Sequence, residues 1–328
     1  MQLIDDDLAK CEDKHTARSL VGKIIRNYGI VIAFIIFFIA LTFLSPAFLT
    51  FRNLHNIIDQ SVSVGIIACA MTLAIISGNF DLSAGAIFAF CGSLAAIIAA
   101  QGYVELGFTV ALLAGFSLGF LNGVVIAGFR VHSFIATLAT GLVIQGAALL
   151  LTNGRLIVVR NDLFTTIGQG SILGIKYPVF IFAIWIIFTW ILLSKTKFGR
   201  AVYAIGGNPE ATWLSGIRVD LTRIMVFSLT GLSAALAGII AVSRISQGQA
   251  DMGSMIELQA IARVVIGGTS IMGGEGSIMG TVFGVLLMRL IGNGFNILNI
   301  SPFYQRVFEG VVILFAVGLD AMFRQRRH

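Results

Sequence analysis

Long apolar stretches follow one another along this chain from Gly29 to Phe323, with only short polar segments between them. A helix needs about 20 apolar residues to cross the hydrocarbon core of a bilayer, and stretches of about this length recur throughout. They are continuous and do not alternate with polar positions, which favours helices over a membrane barrel. The pattern predicts ten spans, near 28–44, 61–77, 82–100, 106–127, 134–151, 178–194, 224–243, 257–272, 278–297 and 304–322.

The composition is that of a membrane protein and excludes a soluble domain. Hydrophobic residues make up 57% of the 328-residue chain and charged residues only 12%, whereas soluble domains carry about 25% charged residues. We therefore predict an all-α, polytopic membrane protein with about ten transmembrane helices, embedded in a lipid bilayer. The predicted units are an N-terminal tail over 1–27, a membrane domain over 28–323 and a C-terminal tail over 324–328.

The distribution of Lys and Arg predicts the orientation of the spans. With the N-terminus in the cytosol, ten spans return the C-terminus to the cytosol. The segments then assigned to the cytosol hold fourteen Lys and Arg residues, against five in the outer segments, as the positive-inside rule requires. The net charge of +6 therefore reflects orientation, and no nucleic-acid partner is expected. The basic, Gly-rich loop 195–223 is the main cytosolic segment between spans.

Polar residues at two breaks in the apolar pattern are candidates for a translocation path. Ser77–Gly85 interrupts one apolar run and opens the next, and Gly267–Gly276 does the same in the second half. Broken helices in corresponding halves of a transporter often mark its path. Asn79, Asp81 and Ser83 lie in the first break, and polar or ionisable groups at membrane depth are functional candidates because they are costly there. Alternatively, Asp81 or Ser83 caps the helix that follows.

Other residues within the spans leave two interpretations open. Asn293 and Asn296 either line the path or hydrogen-bond across helices. Arg263 and Arg289 lie within the predicted spans 257–272 and 278–297, and face either a watery cavity or a partner helix. Glycine recurs every four residues in two stretches, which predicts close helix packing inside one subunit or between subunits. These stretches contain Gly115, Gly119 and Gly123, and Gly276, Gly280 and Gly284.

The loop 195–223 carries the sequence signals of a short helix. Asn208 is a favourable N-cap, Pro209 suits the first helical position and Glu210 suits the positive end of the helix dipole. Gly216 can end the helix. We predict a helix of about two turns on the cytosolic surface. It is either a knob that a partner protein contacts or an ordinary amphipathic connector.

The sequence lacks the common catalytic and metal-binding motifs. It contains no G-x-x-x-x-G-K-[ST] phosphate loop, no H-E-x-x-H motif and no G-x-S-x-G motif. Cys11, Cys69 and Cys91 are too scattered for a zinc site or a disulfide framework. We therefore expect a chain that is not an enzyme and has no catalytic residue, metal or cofactor.

The loop sequence AIGGNPEATWLSGI resembles the cytosolic coupling loop of ABC-importer permeases of the ribose, xylose and arabinose type. SGNFDLSAGA resembles the S-G-G-[IF]-D-L-S-[VA]-G segment of that family, with Asn79 where Gly is common. LNGVVIAGFRVHSFIATLAT, GGTSIMGGEGSIMGTVFG and NILNISPFYQ resemble further family segments, in order, over about residues 25–320. The resemblance implies that the ATPase-coupling residues are Gly206, Gly207, Asn208, Glu210, Ala211 and Gly216.

The resemblance also implies the role and the partners of the chain. They are those of a permease in the bacterial cytoplasmic membrane that works with a cytosolic ABC ATPase, a periplasmic sugar-binding protein and a second permease subunit, identical or related. The expected cargo is a monosaccharide or a related polyol. Two alternatives stay open: an ion-coupled secondary transporter using Asp81, Glu257 or Glu275, and an ABC permease for branched amino acids.

Overall fold

The computed structural model describes residues 29–325, which form a mostly helical bundle. The predicted tail 1–27 and the last residues, 326–328, lie outside the described residues. The described range contains thirteen helices: α1 (Gly29–Leu44), α2 (Phe51–Ile76), α3 (Ala84–Ala100), α4 (Val104–Phe129), α5 (Ser133–Thr152), α6 (Asp162–Gln169), α7 (Tyr177–Lys195), α8 (Lys197–Gly207), α9 (Pro209–Leu214), α10 (Val219–Ile245), α11 (Ile256–Ile266), α12 (Ile278–Ile297) and α13 (Pro302–Gln325).

Each of the ten predicted spans coincides with a helix, and two boundaries differ by more than five residues. Helix α2 begins at Phe51, well before the predicted start at 61, because its first turns carry polar side chains that hide the apolar pattern. Helix α11 ends at Ile266, before the predicted end at 272, because the backbone turns at Gly268 with φ +88°. Among the described residues, six helices are long and apolar enough to cross a membrane: α2, α4, α5, α7, α10 and α12.

Helices α2 and α10 form the centre of the bundle. In the most apolar stretch of α2, 78% of the residues are buried, and in that of α10, 67%. The corresponding values for α5 and α7 are 28% and 22%, so these two helices turn most of their apolar side chains outward. Helix α10 packs on α2, α3 and α4, and α2 packs on α7, α11 and α12.

Both glycine repeats allow helices to approach closely inside this chain, as one of the two interpretations predicted. A Cβ atom at Gly119 would overlap the carbonyl oxygen of Phe227, which brings α4 against α10. A Cβ atom at Gly284 would overlap the carbonyl oxygen of Arg263, which brings α12 against α11. The small residues therefore allow α4 to approach α10, and α12 to approach α11, closely.

The end of the bundle opposite α8 and α9 carries small elements that the apolar pattern did not predict. Strand β1 (Ile157–Val158) pairs antiparallel with β4 (Gln247–Gly248), and β2 (Ser171–Ile172) pairs with β3 (Ile175–Lys176). Between β1 and β2 lies α6, whose first turn is capped by Asn161. These elements are too short to produce a clear hydrophobic period.

Candidate functional site

Helix α9 is the short capped helix that the sequence predicted. The side-chain oxygen of Asn208 accepts a hydrogen bond from the backbone N–H of Ala211 at 3.0 Å, and Pro209 occupies the first helical position. Gly216 has φ +81°, a conformation that favours glycine, and it follows the end of the helix. Glu210 and Ala211 are exposed.

Helix α9 also presents two large apolar side chains to its surroundings. Trp213 is 66% exposed and Leu214 is 73% exposed, next to each other on a helix of only six residues. Adjacent exposed apolar side chains of this size are typical of a contact surface for another protein. Neither residue was among the predicted coupling residues, although two bulky apolar residues in so short and polar a loop indicate a contact surface.

The junction between α8 and α9 contacts both breaks in the apolar pattern. A Cβ atom at Gly206 would overlap the carbonyl oxygen of Ile76 and the backbone nitrogen of Gly274. The Tyr203 hydroxyl donates a hydrogen bond to the carbonyl oxygen of Gly276 at 2.7 Å. Burial raises the pKa of Tyr203, which keeps its phenol a neutral donor. A displacement of the junction therefore acts directly on the end of α2 and on the link between α11 and α12.

The two breaks are also joined to each other. The backbone N–H of Gly274 donates to the carbonyl oxygen of Ile76 at 2.8 Å. A Cβ atom at Gly273 would lie 3.0 Å from the backbone nitrogen of Gly78. The segments Ser77–Gly85 and Gly267–Gly276, which lie far apart in the sequence, thus meet beside Gly206.

Asp81 and Ser83 lie inside the chain, where they join three helices. Asp81 is fully buried, and one carboxylate oxygen accepts from the Ser83 backbone N–H at 3.0 Å and from the Ser83 hydroxyl at 2.5 Å. Its other oxygen accepts from the hydroxyl of Thr230 on α10. The Ser83 hydroxyl accepts from the amide of Asn122 on α4 at 2.7 Å. The cluster fixes the start of α3 against α4 and α10, and Ser83 makes no side-chain bond that caps α3.

The structure separates the remaining path candidates. Asn79 is only 6% exposed and donates to the Ser77 carbonyl oxygen at 3.0 Å. Asn293 on α12 exchanges two hydrogen bonds with Asn53 on α2, at 3.1 Å and 2.7 Å, so it bonds across helices. Asn296 is exposed. Asp81 and Ser83 therefore share one buried cluster, whereas Asn293 and Asn296 lie elsewhere, on α12.

A cleft of about 630 Å³ separates α9 from the bundle. It is bounded by α9, by the first break and by the facing ends of α4, α5 and α10. Basic and acidic side chains both reach it. Its lining includes Gly78, Asn79, Arg130, His132, Ser133, Pro209, Glu210, Trp213, Asp220 and Arg223.

Asp59 forms a buried ion-pair centre at the opposite end of the bundle, which the sequence analysis missed. Its carboxylate lies 2.8 Å from the Lys176 ammonium and 2.9 Å from the Arg244 guanidinium. Arg244 also donates to the Asp59 carbonyl oxygen at 3.0 Å. The contacts fasten α2 to β3 and to the end of α10.

Comparison with known proteins identifies the family. Residues 53–317 match the family described as branched-chain amino acid transport system / permease component, and the chain belongs to that family. The chain is 42% identical over 295 residues to the ribose import permease protein RbsC of Escherichia coli strain K12, covering 88% of this chain and 92% of the relative. The RbsC protein of Bacillus subtilis strain 168 is 42% identical over 300 residues, covering 90% and 93%.

An arabinose permease is also similar to this chain. The L-arabinose ABC transporter permease protein AraH of Azospirillum brasilense is 38% identical over 312 residues, covering 95% of this chain and 92% of the relative. No solved structure matches the chain. Together with the six apolar helices, these relatives identify a multi-pass protein of the bacterial inner membrane.

Proposed function

We propose that this chain is the permease subunit of an ABC importer and forms the translocation path for a monosaccharide or a related small polyol. The observation that carries the proposal is the contact of Gly206 with Ile76 and Gly274. Through this contact, the exposed helix α9 is attached by way of α8 to the end of α2 and to the link between α11 and α12. Relatives named for ribose and arabinose import, about 40% identical over most of the chain, support the same role.

In the proposed topology, the membrane domain over 28–323 has ten spans and both tails lie in the cytosol. The loop 195–223, with α8 and α9, then lies on the cytosolic face, and α6 with the four short strands lies on the outer face. The excess of Lys and Arg in the cytosolic segments supports this orientation. The buried pairs of Asp59 with Lys176 and Arg244 then belong to the outer side.

We further propose that a separate cytosolic ATPase moves α9 by contacting Trp213 and Leu214. A force on α9 passes to Gly206 because α8 and α9 are joined directly at Gly207 and Asn208. From Gly206 it reaches Ile76 and the link between α11 and α12. Helices α2 and α11 then shift relative to each other and open the path. A periplasmic binding protein delivers the sugar, and a second permease subunit, identical or related, completes the transporter.

The cargo is assigned as a sugar in spite of the family description. That description names branched-chain amino acids. The relatives with 37% to 42% identity over about nine-tenths of the chain are named for ribose and L-arabinose. The particular monosaccharide is set in large part by the binding protein.

Reconstitution in vesicles tests the proposed function. The permease is combined with its ATPase and its binding protein, and uptake of labelled ribose, arabinose and leucine is measured with and without ATP. We expect ATP-dependent uptake of a sugar that requires all three components. Sugar uptake driven by a proton or sodium gradient in vesicles that contain the permease alone would instead identify an ion-coupled transporter.

A further inference from the structure

A second cleft, here called the α11 cleft, lies along α11, away from α9. It has a volume of about 440 Å³, within the range of about 300–1,000 Å³ that is usual for small-molecule sites. Helices α11, α12 and α13 form its walls. The polar residues that line it are Ser254, Gln259, Arg263, Arg306 and Glu309.

This cleft reaches membrane depth. The carbonyl group of Arg263 packs against Gly284, which is the seventh residue of the 20-residue helix α12. At 1.5 Å per residue, this contact lies about 9 Å from the start of a helix about 30 Å long. An arginine on a helix at that depth is costly, which makes Arg263 a candidate for a functional role.

Arg263 retains unused hydrogen-bonding capacity. The residue is only 9% exposed, and the one hydrogen bond described for its guanidinium runs from Nη1 to the side-chain oxygen of Gln259, at 3.3 Å. A guanidinium has five N–H donors. Asp81, by contrast, uses both carboxylate oxygens on its own chain. The α11 cleft therefore offers donors to a solute, whereas the cluster around Asp81 does not.

The side chains of the α11 cleft suit the hydroxyl groups of a neutral sugar. Arg263 only donates, the Glu309 carboxylate only accepts, and the Gln259 amide does both, as sugar hydroxyls require. Glu309 accepts from Gln305 with one oxygen, at 3.1 Å, and this leaves its second oxygen for a ligand.

A neighbouring cleft continues from the α11 cleft toward α5. Its volume is about 540 Å³, and it shares Ser254, Met255 and Leu258 with the α11 cleft. Gln145 on α5 lines this neighbouring cleft and donates to the Ala250 carbonyl oxygen at 2.7 Å. The two clefts therefore flank the start of α11 and form a continuous surface.

We infer that the α11 cleft is a sugar-binding station of the translocation path, in which Gln259, Arg263 and Glu309 hydrogen-bond the hydroxyl groups of a passing monosaccharide. This inference rests on the proposed import of a sugar. It assigns the contact with the cargo to residues that differ from all five path residues predicted from the sequence.

Cysteine labelling tests whether the cleft holds water. In a chain with Cys11, Cys69 and Cys91 replaced by alanine, Gln259→Cys is compared with Ile187→Cys, because Ile187 is 56% exposed on the apolar helix α7. A charged thiosulfonate is applied to vesicles of both orientations, with and without a trapped ATP analogue. We expect Gln259→Cys to react at least about tenfold faster in one of these states. Equally slow reaction in every state would show a contact with lipid or a partner helix and overturn the inference.

Sugar uptake by the assembled transporter provides the second test. We expect Gln259→Leu to lower uptake per assembled complex at least about tenfold, and Gln101→Leu, the same change at an exposed position after α3, to leave it unchanged. Normal uptake by Gln259→Leu would overturn the inference. If the wild type imported no sugar, the proposed cargo would fail instead, and the labelling result would still decide whether the cleft is an aqueous path.

Discussion

The backbone N–H of Gly274 donates a hydrogen bond to the carbonyl oxygen of Ile76 at 2.8 Å, although the two residues lie nearly 200 positions apart. The bond joins the end of α2 to the link between α11 and α12. Gly206 packs on both partners, so the α8–α9 junction rests on this bond. Any motion of α9 must either move the two helix breaks together or pull them apart.

A side chain at position 206 is expected to disturb this contact. In Gly206→Ala the new methyl group meets the Ile76 carbonyl oxygen, and overpacking of this kind costs about 1–3 kcal/mol. We expect a lower melting temperature and weaker stimulation of ATP turnover by the sugar-loaded binding protein. Gly146→Ala on α5 is the matched control, because nothing lies within 4 Å of a Cβ atom there. Equal behaviour of the two variants would argue against a tight junction.

Trp213 and Leu214, the exposed apolar side chains on α9, are expected to bind the ATPase. Truncation of an interface anchor costs about 2 kcal/mol or more, so Trp213→Ala is expected to weaken ATPase binding about 30-fold. The dissociation constant is measured with the purified permease in detergent. Leu173→Ala is the control, because Leu173 is 94% exposed but lies at the opposite end of the bundle, in the β2–β3 turn. The interface assignment fails if both variants bind the ATPase like the wild type.

Two changes in the loop 195–223 are expected to abolish coupling without removing the protein from the membrane. Glu210→Lys reverses the charge at the start of the helix, where a negative charge is favourable. Gly216→Pro is incompatible with the observed φ of +81°, because proline requires a φ near −65°. Membrane content is measured by immunoblot and coupling by sugar-stimulated ATP turnover. Normal turnover in both variants would refute the coupling role of this loop.

The ion pairs at the opposite end are expected to contribute unequally to stability. Asp59→Ala leaves Arg244 and Lys176 without their carboxylate, and loss of a buried charged hydrogen-bond partner costs about 1–3 kcal/mol. Lys176→Ala is expected to cost under about 1 kcal/mol, because the Lys176 side chain is 40% exposed and Arg244 still pairs with Asp59. Melting temperatures in detergent measure the difference. A larger loss for Lys176→Ala would contradict this account.

Apolar patterning predicted where the helices lie, because most of them are long and nearly free of charge. It missed the start of α2, because Asn53 and Asp59 interrupt the apolar pattern there. Both side chains are satisfied by partners that lie far away in the sequence. Asn53 pairs with Asn293, and Asp59 pairs with Lys176 and Arg244. Local capping signals predicted α9, because Asn208 acts on residues close to it in sequence.

The arrangement of the candidate site could not be predicted, because it depends on contacts between residues that lie far apart in the sequence. The sequence indicated two breaks, but their contact depends on Gly206, Gly273 and Gly274, which allow three backbones to approach one another. The polar side chain of Asp81 suggested a path, yet its partner Thr230 on α10 satisfies it within the chain. Arg263 was left between two interpretations, and the cleft that it lines favours the aqueous one.

Accessibility of Leu214→Cys from the two sides of the membrane tests the central claim most directly. The other cysteines are replaced by alanine, and an impermeant thiol reagent is applied to right-side-out and inside-out vesicles. Leu173→Cys, at the opposite end, serves as the reference. The account predicts labelling of Leu214→Cys only in inside-out vesicles and of Leu173→Cys only in right-side-out vesicles. Labelling of Leu214→Cys from the outer side would place α9 beyond the reach of a cytosolic ATPase and contradict the mechanism.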